Sequence, residues 1–554
     1  MKYLRSIFLI LFLTIVTSGC AQENYFIPPS ALPEKPLTMV MLNESTLPDL
    51  INAAEPDSIN PDAQRPDPET SAAGVVDEQT DLENSETNPD GGSSAETVEA
   101  DVVITGTETP EVSLVSSAPF LYYAKAADTL PVVAVRFGVD PSEISSREPI
   151  PDTAYLTPGQ LLVIPRRLTE TTTPEHTMPD SEVVYSPSAA NFDVDAFVTE
   201  AGGKLSRYKQ WLRSTGTVSG ADVVNRVAIE NSINPRLLLS LLEYQSGWVY
   251  GDTQDTESDD YPMGYIEVRE KGLYNQLVWA VNQLSIGYYA YREGRMTEIH
   301  YPDGVSMRLA PELNAGSAAL QYYFAQQYQG EKWEQAVDAD SGFPALHTRM
   351  FGDPWARAAM VEPLFPRGLA QPSLILPFMR GWPWAHTGGA HGAWERDGAF
   401  AALDFAPAST QAGCYPSPSW VTASASGLVV RSGNGIVAVD LDGDGFEQTG
   451  WVLVYLHIEK KDRIPVDTWV DQGQEIGHPS CEGGISTGTH VHITRKFNGE
   501  WIPADGPLPF NLGGWVAHAG DAAYKGTLTR GGETVTACTC ANAASFLTRG
   551  DDDP

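Results

Sequence analysis

Between Lys35 and Lys125 the only basic residue is Arg65, while Asp and Glu recur throughout. Residues 21–117 are also rich in Pro, Ser, Thr and Asn and carry no sustained apolar period. Such a stretch cannot bury enough apolar surface to offset the entropy of ordering it, so it reads as a disordered acidic linker. This confines folding to the rest of the 554-residue chain, whose overall 42% hydrophobic content supplies two or three units. A flexible segment of that length spans roughly 50–60 Å r.m.s., enough to act as a tether. The formal charge of −37 argues against a nucleic-acid partner, because phosphate binding requires a basic face.

The N-terminus reads as an export signal. Lys2 and Arg5 precede an apolar run from Ile7 to Val16, too short to span a bilayer, which takes about 20 helical residues. Thr17-Ser18-Gly19-Cys20 then resembles the lipobox of bacterial lipoproteins, with Thr17 where that pattern has Leu. The resemblance implies a signal peptide over 1–20, lipidation at Cys20 and an extracytoplasmic protein anchored to the cell membrane. Ordinary cleavage and secretion is the alternative. Cys414, Cys481, Cys538 and Cys540 remain, an even number that in an exported chain points to disulfides whose pairing stays open.

From Leu121 the composition changes. Asp128-Thr129-Leu130, then Phe137-Gly138-Val139 and Pro158-Gly159-Gln160, resemble a LysM module, a small βααβ unit that binds peptidoglycan or chitin glycan. The match covers residues 118–167, and a Thr/Pro-rich linker follows over 168–189. Residues 190–372 read as mainly α. Asn234-Pro235 is an N-cap with Pro at the first helical position, opening LLLSLLEYQSGW; further helices are expected over LYNQLVWAVNQLSIGYYAYREG and LNAGSAALQYYFAQQY. The arrangement resembles the lysozyme-like fold of transglycosylases, in which the first core helix ends in a catalytic Glu-Ser pair. Here Gln245-Ser246 stands there, and an amide cannot protonate a glycosidic oxygen. Glu243 points about 200° away on a helix. A non-catalytic helical unit is expected.

Seven of the ten histidines fall between 386 and 518. In Thr489-His490-Val491-His492-Ile493 alternation puts both imidazoles on one face of a strand. Upstream come Gly388-Gly389-Ala390-His391, Asp404 in Ala-Leu-Asp-Phe, and an apolar strand from Trp451 ending in His457. These pieces in this order resemble the lysostaphin-type and β-lytic zinc endopeptidases, which share the β-rich duplicated hybrid motif fold; the match covers about 373–542, leaving an acidic tail over 543–554. The wide spacing of His391 and Asp404 matches the β-lytic branch. The resemblance implies zinc held by His391, Asp404 and His492, with His490 and His457 as the non-ligand histidines of the active site. Two imidazoles and a carboxylate suit zinc and leave one coordination position open for water. With no His-Glu-X-X-His helix, a histidine must act as base: His490 is assigned that role and His457 donation to the developing oxyanion, although the order can be reversed.

Other polar residues receive plainer readings. Asp440, Asp442 and Asp444 resemble half of a calcium loop between strands expected over Gly427–Val439 and Trp451–His457; an acidic hairpin turn is the alternative to Ca2+ binding. His386 is expected behind or beside the site, His478 and His518 in loops, and Arg495 beside a substrate carboxylate. The whole implies a multidomain hydrolase cutting amide bonds in peptidoglycan stems or cross-bridges. A non-enzymatic wall-binding regulator and glycan cleavage by the helical unit are the rivals.

Overall fold

The computed structural model describes residues 118–252, 256–394, 396–409, 413–550 and 553. The expected signal peptide, Cys20 and the acidic linker lie outside the described residues. No helix of the described residues is long and apolar enough to cross a membrane.

The first unit pairs strand Phe120–Tyr123 antiparallel with Leu161–Ile164. Helix Leu130–Phe137 lies between them, opened by the Thr129 side chain and stopped by Gly138 at φ 66°. Tyr122, Val133, Phe137, Leu162 and Ile164 form its small core. The second helix of the expected βααβ order is only a 3-10 turn, Pro141–Glu143. Pro149, Pro151 and Pro158 follow closely and deny a helix its N–H donors.

The helical unit is built on Gly220–Asn231, Pro235–Ser246, Leu273–Arg292 and Ala315–Ala325. Asn234 caps the second of these from its side chain, with Pro235 at the first position and Gly247 ending it at φ 65°. The linker expected over 168–189 is instead packed in place. Met178, Val183, Val184, Tyr185 and Ala189 belong to the helical core. Its polar residues are neutralised inside: Asp180 pairs with Arg292, and Glu182 with Arg357 and His347. Thr and Pro content alone hid this, because those partners come from more than a hundred residues away.

Among the described residues, nine strands form the C-terminal antiparallel sheet. Their order is Trp469–Val470, Gly427–Gly433, Ile436–Asp440, Trp451–Leu456, Val491–Phe497, Ala402–Pro407, Pro383–His391 and Phe546–Thr548, with Glu500–Trp501 folded back on Val491–Phe497. Two expectations are corrected. Gly427–Val439 is a hairpin, because Asn434 and Gly435 adopt φ 39° and 88°, the left-handed pair a tight two-residue turn requires. The tail from 543 is no solvated appendage, since Phe546–Thr548 pairs with Pro383–Ala385 as the edge strand.

Alternation assigns the two faces of the sheet. Val437, Val439, Leu453, Tyr455, Val491 and Ile493 enter a core with Phe405, Phe510 and Trp515. Ile436, Ala438, Val452, Val454 and Leu456 enter the other core, continuous with Leu237, Leu241 and Tyr288 of the helical unit. Polar clasps reinforce this contact: Ser232 Oγ donates to Gly499 O (2.7 Å), Trp501 N to Tyr289 OH (3.0 Å), and Arg292 pairs with Glu500. The helical unit therefore covers the sheet face that His492 shares with Leu456 and Val454.

Candidate metal centre

Three adjacent strands deliver the central residues. His492 lies directly opposite Asp404, and Gly388 opposite Asp404 on its other side. Register irregularities between His386 and Gly388, and again between Gly388 and His391, turn His391 back over the same spot. His391 Nε2 stands 3.1 Å from His492 Nδ1, and each is 3.3 Å from Asp404 Oδ1. All three side chains are buried. Zinc bonds of about 2.0–2.2 Å in a tetrahedron put neighbouring donor atoms about 3.3–3.6 Å apart, so the set fits zinc with little adjustment.

The outer contacts fix which nitrogen faces inward. His391 Nδ1 donates to Gly389 O (2.7 Å) and His492 Nε2 to Ala393 O (3.0 Å), leaving Nε2 and Nδ1 respectively as the inward lone pairs. Asp404 Oδ1 is buried without a hydrogen-bond donor, as a ligand atom requires. Burial alone would raise the Asp404 carboxyl, yet the facing His391 and His490 rings hold it well below its ordinary value. Burial lowers His492, keeping the imidazole neutral. At His391 burial also opposes the charge, but the Asp404 carboxylate outweighs it and raises the ring. A metal takes up an ionised carboxylate and neutral imidazoles, so Asp404 and His492 stand in the form it binds, while the favoured proton on His391 is the one an entering ion displaces.

Glycines make the space. A Cβ on Gly388 would lie 2.5 Å from Asp404 Oδ2, and one on Gly389 2.3 Å from Lys525 O. Tyr524 stacks on His391 with centroids 4.2 Å apart, held at φ 66° by bonds from its N to Ala390 O and from Gly389 N to its O. The sequence reading missed it, since nothing local marks a tyrosine 133 positions from its partner ring.

The two remaining imidazoles sit beside this set. His490 Nε2 is 3.7 Å from Asp404 Oδ1, while its Nδ1 donates to Gly488 O (2.8 Å). The His457 ring lies 4.4 Å from that of His490 and its Nδ1 donates to Glu482 O (2.9 Å). His457 follows strand Trp451–Leu456 at φ 65°, a conformation a non-glycine residue adopts only when its surroundings hold it. Burial, then the neighbouring His490 and His492, push its imidazole well below the usual value.

Other candidates are placed differently. Arg495 is fully buried on the opposite face from His492, bonding Gln371 Oε1, Pro503 O and Leu508 O; three positions along a strand reverse the face, so it cannot meet a substrate. His386 is buried behind the ligands, and desolvation lowers it to about 4. His478 lies in a loop as expected, buried against Trp420, whereas His518 lies in strand Trp515–Ala519 rather than a loop. The Asp440, Asp442 and Asp444 carboxylates converge, and burial pushes Asp440 up to about 8. They lie at the far end of the hairpin, since Asp440 pairs with Val452 whereas Ile436 pairs with Leu456 beside His457. Gln245 is tied to Tyr328 OH (2.6 Å) and Tyr323 OH (3.4 Å), and Glu243 caps Val249 N and Tyr250 N. Neither supplies a free acid.

Residues 176–364 match the family model described as LasA, N-terminal domain, a span that also takes in the packed segment before the first long helix. Among curated proteins, the chain is 25% identical over 354 residues to Protease LasA of Pseudomonas aeruginosa (strain UCBPP-PA14), covering 60% of this chain and 78% of that one. It is 28% identical over 167 residues to the beta-lytic metalloendopeptidase of Lysobacter enzymogenes, covering 30% of this chain and 88% of that one. Of solved structures, the M23 metalloprotease pseudoalterin from the deep sea matches at 24% identity and TM-score 0.26, over 30% of this chain and 96% of its own.

Proposed function

We propose that this chain is a zinc-dependent endopeptidase that hydrolyses amide bonds in the peptide stems or cross-bridges of bacterial peptidoglycan. The observation that carries the reading is the convergence of His391, Asp404 and His492, with donor atoms 3.1–3.3 Å apart, beside two further imidazoles. The relatives named as a protease and as beta-lytic metalloendopeptidases support the same reaction class.

His391 Nε2, Asp404 Oδ1 and His492 Nδ1 would hold the ion. A bound zinc supplies Lewis acidity toward the scissile carbonyl. Because Nδ1 of both His490 and His457 is committed to a backbone carbonyl, proton exchange runs through Nε2 of each. His490, the nearer to Asp404, takes the proton from the attacking water and returns it to the leaving amine. His457 stabilises charge on the carbonyl oxygen as it develops.

The LysM-like unit is assigned to wall glycan. A cavity of about 280 Å³ lies where it meets the helical unit, lined by Lys125, Ala126 and Pro158 on one side and His176, Trp355 and Glu362 on the other. An aromatic platform among polar groups suits a sugar ring. Cys20 would tether the enzyme to the cell membrane, and the Asp440–Asp442–Asp444 cluster is a second cation site, suited to calcium by its all-oxygen donors.

Purified sacculi incubated with the zinc-loaded chain should release fragments with new amino groups, read by mass spectrometry. His391→Ala and His492→Ala should abolish this release together with stoichiometric zinc. Zinc-free wild-type protein that only binds sacculi would favour a regulator instead, and anhydro-sugar products would favour glycan cleavage.

A further inference from the structure

The two non-ligand imidazoles stand just outside the strands of the sheet that holds the ligands: His457 follows Trp451–Leu456 and His490 precedes Val491–Phe497. His492 and Asp404 are paired residues of neighbouring strands, and His391 ends the next one. His457 and His490 instead hang on the irregular stretch from Ser480 to Thr489. Ser480 N donates to His457 O (2.7 Å), His490 N donates to Ser480 O (3.3 Å), and Glu482 O accepts from His457 Nδ1. The residue between these anchors is Cys481.

Cys481 is disulfide-bonded to Cys414, 67 positions upstream. The far side of the same crosslink grips the other end of the stretch: Thr489 N donates to Gly413 O (3.2 Å) and Thr489 Oγ1 to Tyr415 O (2.5 Å). Ser486 closes the ring: its hydroxyl donates to Gly488 O (2.8 Å), the carbonyl that also accepts from His490 Nδ1, and its Oγ lies 3.3 Å from Cys481 Sγ and 3.3 Å from His490 Nδ1. The stretch contains Gly483, Gly484 and Gly488, which give an uncrosslinked loop wide conformational freedom. His457 also needs firm surroundings to keep its left-handed backbone.

We propose that the Cys414–Cys481 disulfide is a positioning element for His457 and His490, so that turnover requires the oxidised chain while metal binding does not. The proposal rests on the zinc-peptidase reading for its catalytic consequence. Cys414 is exposed, so the bond is open to a dithiol reductant. One dithiol transfers two electrons and two protons, the Cys414–Cys481 bond breaks into two thiols, and the reductant closes to its own cyclic disulfide. His391 and His492 keep their partners Gly389 O and Ala393 O, and Asp404 its place between the strands of His492 and Gly388, none of which the crosslink touches.

The test compares the full zinc-loaded chain with the double variant Cys414→Ser/Cys481→Ser. The readouts are bound zinc, kcat and KM on a soluble cross-linked muropeptide, and the histidine ring NMR signals. Loss of alignment of general acid–base groups should lower kcat by about 100-fold, with stoichiometric zinc and KM within about twofold. The ring N–H signals of His457 and His490 should broaden or shift while those of His391 and His492 stay. A double variant with kcat within about twofold of the parent and unchanged His457 and His490 signals would overturn the proposal. If the variant does not fold, dithiothreitol titration of the Cys538→Ser/Cys540→Ser chain, which retains only the Cys414–Cys481 bridge, gives the same comparison. Should the oxidised parent cut no amide bond, the peptidase reading falls, and the NMR comparison alone still decides whether the crosslink positions the two rings.

Discussion

Gly388→Ala isolates the cradle around Asp404 from every other feature of the site. The backbone at Gly388 is not in the left-handed region, so alanine brings no conformational strain of its own. What it brings is a methyl 2.5 Å from Asp404 Oδ2 and 3.0 Å from its Cγ. Ordinary contact needs about 3.5 Å, so the carboxylate must retreat by about 1 Å or the strand must part by as much. Metal–ligand distances tolerate only about 0.2 Å. Displacing a supporting contact around a ligand typically weakens metal binding 10- to 100-fold, or about 1.4–2.8 kcal/mol. Zinc affinity, measured by competition with a chromophoric chelator, should fall within that range, and activity should return at saturating zinc. The apoprotein should also lose about 1–3 kcal/mol of stability from overpacking. An affinity within twofold of wild type would show that Gly388 does not set the position of Asp404, and would remove the steric argument for the ligand geometry.

Other consequences are equally open to measurement. His490→Ala and His457→Ala should each cut kcat by about 10²–10⁴-fold while leaving zinc bound, whereas alanine at His391 or His492 should remove the metal; zinc loss in the first pair would refute the division of roles. Asp440 has a folded-state value raised to about 8 by burial, so its contribution to stability is full below its ordinary carboxyl value and is lost as pH climbs toward 8. Thermal melts should therefore decline over that interval, and Asp442→Asn or added Ca2+ should flatten the decline; a pH-independent difference between wild type and variant would contradict this. Trp501→Ala removes a fully buried indole between the helical unit and the sheet and should cost about 3–5 kcal/mol in denaturant unfolding. A loss under 1 kcal/mol would mean the two layers are not one cooperative core.

The residues of the site were legible because their signals are local. His490 and His492 alternate in a strand, His391 follows paired glycines, and His457 closes an apolar run. Each pattern needs only a few neighbours. The Asn434-Gly435 turn carries an equally local signal, a pair that tolerates the left-handed region inside an apolar run, so 427–439 holds two strands rather than one. The face of Arg495 is legible from the same alternation, since an odd offset from His492 places it on the other side of the sheet. The packing of residues 177–189 was not legible, because Asp180 and Glu182 look solvated until Arg292 and Arg357 arrive from distant helices.

By itself, then, the chain order determined which side chains can be ligands and which strands carry them, since two-residue periodicity is a property of the backbone alone. Tertiary structure decided everything that depends on closing long loops. It paired Cys414 with Cys481, brought Tyr524 onto His391, and laid the helical unit over the sheet face that carries His492. Such contacts join segments far apart in the chain, and their choice rests on packing and complementary charge that no short stretch of sequence contains.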